Sequence, residues 1–151
     1  HAGFAVDMAI DFAHPEVGRQ RLALEVDATT FPEELAGART FGFADDVAAL
    51  RAKGLARGGS LDNAVVVGAA GVLNPEGLRW PDEFVRHKAL DAVGDLYLAG
   101  PLAGRFEGRG SGHHLHVKLL QRLLAEPGAW RWRREGDATP APPALARAGA
   151  D

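Results

Sequence analysis

Three side chains that can bind a metal ion recur at intervals of four residues, at His87, Asp91 and Asp95. The segment from Pro81 to Leu98 is predicted to be a helix, in which a step of four residues advances only about 40° around the axis. The three side chains are therefore expected to project from one stripe. An imidazole and a carboxylate one turn apart can bind the same divalent ion, and an incomplete His–Asp set is typical of a catalytic zinc or iron site.

The same spacing has a simpler interpretation, in which the stripe faces solvent and its i,i+4 pair adds roughly a few tenths of a kcal/mol to helix stability. A histidine four residues before an aspartate often arises by chance, so both interpretations remain open. Asp82 and Glu83 are interpreted as acids that favour a helix start through its dipole. Lys88 is either a cation that stabilises an oxyanion near the metal or a lysine lying over the apolar surface.

A second histidine segment follows Ser111, which is predicted to cap a helix that extends to Ala125. A protonated His113 held near a metal, with its charge supported by a carboxylate such as Asp95, can act as a general acid. The alternative is a surface tract formed by His113 with its neighbours His114 and His116.

The run from Arg39 to Phe43 places a hydroxyl beside two aromatic rings around a glycine. The hydroxyl of Thr40 can hydrogen-bond an oxyanion, and an exposed Phe41 can stack on a sugar ring. Composition alone favours a loop whose phenylalanines anchor it to the core. The glycines before Ser60 fit no phosphate-binding fingerprint, so a hairpin turn is predicted there.

Composition excludes several classes of protein. The chain has 151 residues, 46% of them apolar and 25% charged, which suits a single globular domain. Its net charge of −3 argues against a nucleic-acid partner. The absence of cysteine excludes disulfides and thiolate zinc sites, so a metal would have to use histidine and carboxylate. No apolar run is long enough for a transmembrane segment, and a cytoplasmic location is expected.

The elements that must position these residues predict an α+β fold, a two-layer sandwich of a mostly antiparallel sheet against two helices with a βαβ-like insert over residues 44–66. One domain is expected over residues 1–132, followed by a disordered tail over residues 133–151. Trp130 and Trp132 are expected to pack back on the body. Strands are predicted at Phe4–Phe12, Gln20–Val26, Ala64–Val67 and Leu102–Glu107. Further helices are predicted at Thr30–Ala38 and Ala44–Lys53. The last helix is expected to bury the side that carries Leu115, Leu119, Leu120, Leu123 and Leu124.

Several of these segments, in this order, resemble the zinc-dependent UDP-3-O-acyl-N-acetylglucosamine deacetylases of bacterial lipid A synthesis. The likeness extends from about Phe4 to Trp132. It departs from the family in the motif Ser-Gly-His-x-Leu-Asn, because His116 replaces the asparagine and His114 is the intervening residue. The matching runs are Ile10–Phe12 with His14–Pro15, Ala38–Phe43, Gly54–Ala64, Val72–Arg79, Asp82–Asp95 and Ser111–His113.

The resemblance implies that His87 and Asp91 bind Zn²⁺ and that His113, held by Asp95, is the catalytic histidine. It further implies that Thr40 stabilises the tetrahedral intermediate, that Lys88 contacts the substrate UDP-3-O-acyl-GlcNAc, and that Phe41 lies against the glucosamine ring. The insert is expected to form a passage for the acyl chain, and its implied lining is Ala44, Val47, Ala56, Ser60, Ala64 and Val66.

The family has two similar domains, and the likeness covers only the second. The first supplies a Glu-His pair, a general base and a third zinc ligand, that is absent from this sequence. The resemblance therefore implies hydrolysis of the N-acetyl group with half of the site in this chain and a first domain as partner, in cis or in trans. The alternative is a non-catalytic binding module or a subunit of a split enzyme.

Overall fold

The computed structural model of the protein describes residues 3–46, 54, 58 and 60–134, and its fold class is the predicted α+β. The elements with described ends are chiefly two three-stranded sheets and two α-helices. The strands are β1 (Phe4–Asp11), β2 (Arg19–Val26), β3 (Thr40–Phe43), β4 (Ala64–Gly68), β5 (Gly71–Val72) and β6 (Gly104–Arg109), the α-helices are α1 (Glu83–Leu96) and α2 (His113–Ala125), and short helical turns cover Phe31–Leu35, Tyr97–Ala99 and Pro127–Ala129.

The first sheet has β1 at its centre, antiparallel to β2 and parallel to β6. The predicted hairpin of the first two strands is confirmed. From Val6 onward, alternate residues of β1 are buried, namely Val6, Met8 and Ile10, because successive strand residues point to opposite faces and one face is covered by α1. The opposite face carries ion pairs such as that between Asp7 and Arg21.

The second sheet has the order β3-β4-β5, with β3 parallel to β4 and β4 antiparallel to β5. Parallel neighbours require a crossover between them, as the predicted βαβ-like insert provides. Residues 44–46 are helical, but the rest of the helix predicted up to Lys53 lies outside the described residues. The four described pairings are two parallel and two antiparallel, so the sheets are mixed rather than mostly antiparallel.

Helix α1 packs its apolar side on β1, β2 and β3. That side consists of Phe84, Val85, Ala89, Ala92 and Leu96, all buried, and their spacing of three and four residues is that of one helix face. The helix is two residues shorter at each end than the predicted range from Pro81 to Leu98, and Gly100 with a φ of 86° follows its last turn. This packing directs the stripe of His87, Asp91 and Asp95 away from the core.

Helix α2 differs from the prediction in its buried side. Leu120 is buried and Leu123 is partly buried, but Leu115, Leu119 and Leu124 are 52%, 45% and 53% exposed. Of these leucines, only Leu120 and Leu123 pack on the described part of the body, and a periodic pattern cannot show which leucines a neighbouring surface covers. His116, one turn before Leu120, fills the inward position instead.

The cap predicted at Ser111 is wrong, and the hydroxyl of Thr30, at the predicted start of the first helix, is not a cap either. Thr30 donates its hydroxyl to the Glu25 carbonyl, and the side chain of Asp27 accepts the backbone N–H groups of Thr29 and Thr30. Ser111 is buried and its Oγ lies 3.1 Å from His116 Nε2, so α2 begins after Gly112 without a side-chain cap. In both cases the hydroxyl bonds to a residue five positions away instead of capping the backbone N–H groups of the helix.

The C-terminal part departs from the prediction as well. Trp132 is 85% exposed and Trp130 is 37% exposed, and the two rings contact each other edge to face at 5.7 Å instead of packing fully on the body. From residue 135 onward, the tail predicted to be disordered lies outside the described residues. Within the part of the chain that the structure describes, no helix is long and apolar enough to cross a bilayer.

Candidate active site

The stripe on α1 brings its first two potential ligands together. His87 Nε2 lies 3.2 Å from Asp91 Oδ1, and the two side chains are only 16% and 12% exposed. Zinc binds histidine nitrogen and carboxylate oxygen at about 2.0–2.2 Å, so two such ligands at a tetrahedral angle are about 3.3 Å apart. The observed separation therefore fits a shared zinc ion.

The ring of His87 is oriented by the backbone. Its Nδ1 lies 3.2 Å from the carbonyl oxygen of Ala38. A carbonyl only accepts hydrogen bonds, so Nδ1 carries the proton and donates it. Nε2 is thereby directed to the side of Asp91, where it can bind a metal. Metal-binding histidines characteristically have such a partner on the second ring nitrogen.

Lys88 contacts the other oxygen of the same carboxylate. Its Nζ lies 2.7 Å from Asp91 Oδ2, so one oxygen of Asp91 pairs with a lysine and the other faces His87. Lys88 is 19% exposed and thus lies in the site rather than spreading over the surface. This arrangement limits Asp91 to a single free ligand oxygen and places a cation beside it.

His113, from the first turn of α2, reaches the same place from the neighbouring element. Its Nδ1 lies 2.7 Å from Asp95 Oδ2, and its Nε2 lies 3.9 Å from Asp91 Oδ1. The ring is 68% exposed, which leaves Nε2 accessible to a substrate. The structure therefore brings together all four members of the predicted group, which are His87, Asp91, Asp95 and His113.

Sequence reasoning left the role of His116 open, and the structure gives it a defined position. The ring is 1% exposed, its Nδ1 lies 2.7 Å from Asp95 Oδ2, and its Nε2 is within hydrogen-bond distance of Ser111 Oγ. Burial alone raises the pKa of Asp95, but the hydrogen bonds from His116 and His113 outweigh it and the net pKa is lowered. Asp95 is thus held as a carboxylate that accepts two imidazole N–H groups.

Asp95, His113 and His116 also form a group whose potential ligand atoms lie within 4.8 Å of one another. Both histidines use Nδ1, and both approach the same oxygen of Asp95 at hydrogen-bond distance. A metal bound there would have to replace two short charge-assisted hydrogen bonds. The pair formed by His87 and Asp91 is the better candidate for a metal site, because the hydrogen bond of the His87 ring to Ala38 uses Nδ1 and not the nitrogen that faces Asp91.

The second sheet places several predicted substrate residues side by side. Thr40 pairs with Ala64 and Gly42 pairs with Val66, and in-register partners of parallel strands share one face. Phe41 is half-buried on the opposite face, edge to face with Phe84 at 5.0 Å and with Phe12 at 5.6 Å.

The remaining residues of the predicted passage are less informative. Ala44 is partly buried directly after β3, and Ser60 is exposed in the turn before β4, where its Oγ accepts the Asp62 N–H. Val47 and Ala56 lie outside the described residues.

Sequence reasoning missed the role of Glu83. It treated this residue as a dipole-favouring acid, but the side chain is fully buried and bonded to Arg39, 44 positions earlier. Burial raises the pKa of Glu83, and the hydrogen bonds from Arg39 and Arg79 outweigh that effect and lower it. No local signal reveals this role, because an acid in the first turn of a helix is also favoured by the helix dipole alone.

Comparison with known proteins identifies the family of this chain. A family model described as UDP-3-O-acyl N-acetylglycosamine deacetylase matches residues 1–125, which include every site residue from Ala38 to His116. The chain belongs to this deacetylase family.

The deacetylase relatives are similar over most of this chain but are themselves longer. Proteins named UDP-3-O-acyl-N-acetylglucosamine deacetylase are 56% identical in Phenylobacterium zucineum, covering 86% of this chain and 45% of that protein, and 50% identical in Chromobacterium violaceum, covering 94% and 48%. The Acidithiobacillus ferrooxidans protein of the same name is 53% identical over 86% of this chain and 44% of its own length. The chain spans about half the length of the curated relatives it matches.

Proposed function

We propose that this chain supplies zinc ligands and an acid catalyst for hydrolysis of the N-acetyl group of UDP-3-O-acyl-N-acetylglucosamine in lipid A synthesis, a reaction we assign to the cytoplasm. The observation that carries the proposal is the convergence of three groups. His87 Nε2 lies 3.2 Å from Asp91 Oδ1, and His113 Nε2 lies 3.9 Å from the same oxygen. Amide hydrolysis needs an electrophile at the carbonyl and a proton donor for the departing nitrogen, and this geometry provides positions for both.

His87 and Asp91 would hold the zinc ion, as their separation and the orientation of the His87 ring support. Bound zinc supplies Lewis acidity, which polarises a carbonyl and lowers the pKa of water. Lys88, paired with the second oxygen of Asp91, prevents that carboxylate from binding through both oxygens.

His113 is the proposed general acid. Asp95 accepts a hydrogen bond from Nδ1–H, so Nε2 is the nitrogen that delivers a proton to the substrate. In the reaction a water molecule loses a proton to the general base and its oxygen bonds to the acetyl carbon. The carbon–nitrogen bond then breaks, and the nitrogen leaves as an amine with the proton from His113. Acetate and the glucosamine are the products. General acid catalysis of this kind contributes about 10²- to 10⁴-fold to rate.

Thr40 and Lys88 are the proposed donors to the oxyanion that develops on the carbonyl. Thr40 begins β3 two residues after Ala38, whose carbonyl contacts His87. The hydroxyl of Thr40 is therefore carried by the backbone segment next to His87 and Asp91. Phe41, which follows Thr40, keeps part of its ring exposed and is the proposed contact for the glucosamine ring.

The 3-O-acyl chain is proposed to lie along the face of the second sheet that carries Thr40. Ala64 and Val66 share that face, and Ala44 follows β3 at its end. Small aliphatic side chains leave room for an extended alkyl chain. Each methylene buried contributes about 0.8 kcal/mol, so an acyl chain with ten or more buried methylenes would dominate the affinity.

The general base and a third ligand are proposed to come from a first domain, because catalytic zinc is normally bound by three protein ligands and one water. In the described residues, only His87 and Asp91 converge as a ligand pair with the right orientation. The exposed leucines of α2, Leu115, Leu119 and Leu124, support a partner surface on this side of the chain.

Acetate release from UDP-3-O-acyl-N-acetylglucosamine tests the proposal. We expect the purified chain with zinc to release none, and a mixture with a first-domain polypeptide from a relative to release acetate. The same mixture with His113→Ala is the control for contaminating activity. Turnover by the chain alone would contradict the half-site proposal.

The second candidate function is a non-catalytic binding module, favoured by the presence of only two converging ligands in the described residues. Saturable binding of the substrate, with no turnover in either sample, would support it. Turnover in the mixture, with none in the sample of the purified chain, would identify a split enzyme.

A further inference from the structure

A buried ion pair lies one helical turn before His87, and the reaction proposed above does not use it. The side chain of Glu83 has no exposed surface, and that of Arg39 is 4% exposed. Glu83 Oε1 accepts the side-chain Nε–H of Arg39 at 2.9 Å, and Oε2 accepts Nη2–H of Arg39 at 3.1 Å and the backbone N–H of Arg79 at 2.6 Å. Arg39 also donates to the Gly77 carbonyl at 2.7 Å. The carboxylate is therefore locked in one orientation.

The same carboxylate holds one specific peptide group. Glu83 Oε1 accepts the backbone N–H of Arg39 at 3.0 Å. The other end of that peptide unit is the Ala38 carbonyl, which accepts Nδ1–H of His87 at 3.2 Å. Because a peptide unit is planar and rigid, fixing its N–H also fixes the direction of its C=O. Glu83 and His87, four residues apart on α1, thus bond to the N–H and the C=O of the same peptide unit.

We propose that Glu83 and Arg39 are positioning residues that direct the Nε2 of His87 towards the metal by holding the Ala38–Arg39 peptide. The inference rests on the proposed function in taking His87 as a zinc ligand. Glu83 holds the peptide, Arg39 holds Glu83, and the carbonyl then fixes both the ring orientation and the proton on Nδ1. Loss of a partner that orients a metal-binding histidine typically weakens metal binding by about 10- to 100-fold.

Glu83→Gln is the test variant, because it keeps the size of the side chain but replaces an acceptor oxygen with an NH₂ group that faces N–H donors. Asp82→Asn is the matched control. Asp82 is the preceding residue and forms its own ion pair with Arg86 at 2.6 Å, so the control also loses an ion pair at the start of α1 but leaves the Ala38–Arg39 peptide alone.

Two measurements on the 151-residue chain separate positioning from fold stability. The first is the exchange-protected Nδ1–H signal of His87 in ¹H–¹⁵N spectra of the metal-free chain, assigned by its loss in His87→Gln. The second is zinc affinity from competition with a chromophoric chelator. We expect Glu83→Gln to lose the signal and to bind zinc at least about tenfold more weakly. Asp82→Asn should retain the signal and bind within about twofold of the original chain.

The proposal is overturned if Glu83→Gln keeps both the Nδ1–H signal and the original zinc affinity. It is also overturned if Asp82→Asn loses the signal and as much zinc affinity as Glu83→Gln does. Should Glu83→Gln fail to fold, the double variant Arg39→Gln with Glu83→Gln removes both buried charges together and is judged by the same criteria. If His87→Ala binds zinc as tightly as the original chain, the proposed function fails instead. The signal of the metal-free chain still decides whether Glu83 orients the ring.

Discussion

Replacement of Gly108 by alanine tests the packing beneath the site. A β-carbon at this position of β6 would lie 2.5 Å from Ser111 Oγ and 2.9 Å from Met8 Sδ and Cε. Met8 is completely buried, and Ser111 Oγ is within hydrogen-bond distance of His116 Nε2. Neither neighbour can move aside freely, so the added methyl group must displace the Ser111–His116 contact or strain the core.

Overpacking of this kind costs about 1–3 kcal/mol. For a chain of this size, each kcal/mol lowers the melting temperature by about 2–4 °C, so we expect Gly108→Ala to lower it by roughly 2–12 °C. Gly104→Ala on the same strand is the matched control, because no atom lies within 4 Å of its added β-carbon. Gly104→Ala should be neutral or more stable by up to about 1 kcal/mol.

Urea unfolding followed by circular dichroism measures both variants against the original chain. We expect the midpoint to fall for Gly108→Ala with an unchanged slope, because the slope reports the surface exposed on unfolding. Equal midpoints for the two variants, or an unchanged midpoint for Gly108→Ala, would refute the close packing of Gly108 against Ser111 and Met8.

Three further predictions concern the site. His87→Ala should abolish zinc retention in a reconstituted enzyme, since one of three ligands is lost, and elemental analysis that finds an unchanged metal content would argue against this role. His113→Ala should retain zinc and lower turnover by about 10²- to 10⁴-fold, and a rate near that of the original chain would remove His113 from the mechanism. The lowered pKa of Glu83 should stabilise the fold above the ordinary value of 4.5, and this stabilisation should be lost as the pH falls through the lowered pKa. The free energy of unfolding of Glu83→Gln should lack this part of the pH dependence. Identical acid-unfolding profiles for the variant and the original chain would contradict the prediction.

The core of the candidate site could be predicted because local geometry determines it. A helix necessarily aligns His87, Asp91 and Asp95, and the alternation in the first two strands predicts the hairpin that supports α1. The approach of His113 to Asp95 could be anticipated once α2 was expected to begin at Ser111–Gly112. The roles themselves rest on the family resemblance, because spacing alone left the metal interpretation and the solvated stripe both open.

The remaining contacts depend on residues far apart in the chain. The bond between Arg39 and Glu83 joins positions separated by 44 residues, and no local pattern distinguishes that glutamate from one that only favours a helix start. Ser111 is a residue type that often caps a helix, but its Oγ donates to Met8 Sδ at 3.6 Å, and the two residues are 103 positions apart. The leucines of α2 repeat like a buried face, and exposure of Leu115 and Leu119 depends on which surfaces are present beside the helix.

The central strand of the first sheet has a consequence for synthesis of the chain. Phe4 pairs with Gly104, so β1 obtains its second neighbour only after about a hundred further residues have emerged. Pairings of such long sequence separation form slowly, and until then one edge of β1 exposes unpaired backbone groups that can recruit another chain. A product truncated before Gly104 would keep that edge permanently, so we expect such nascent fragments to aggregate while longer ones fold.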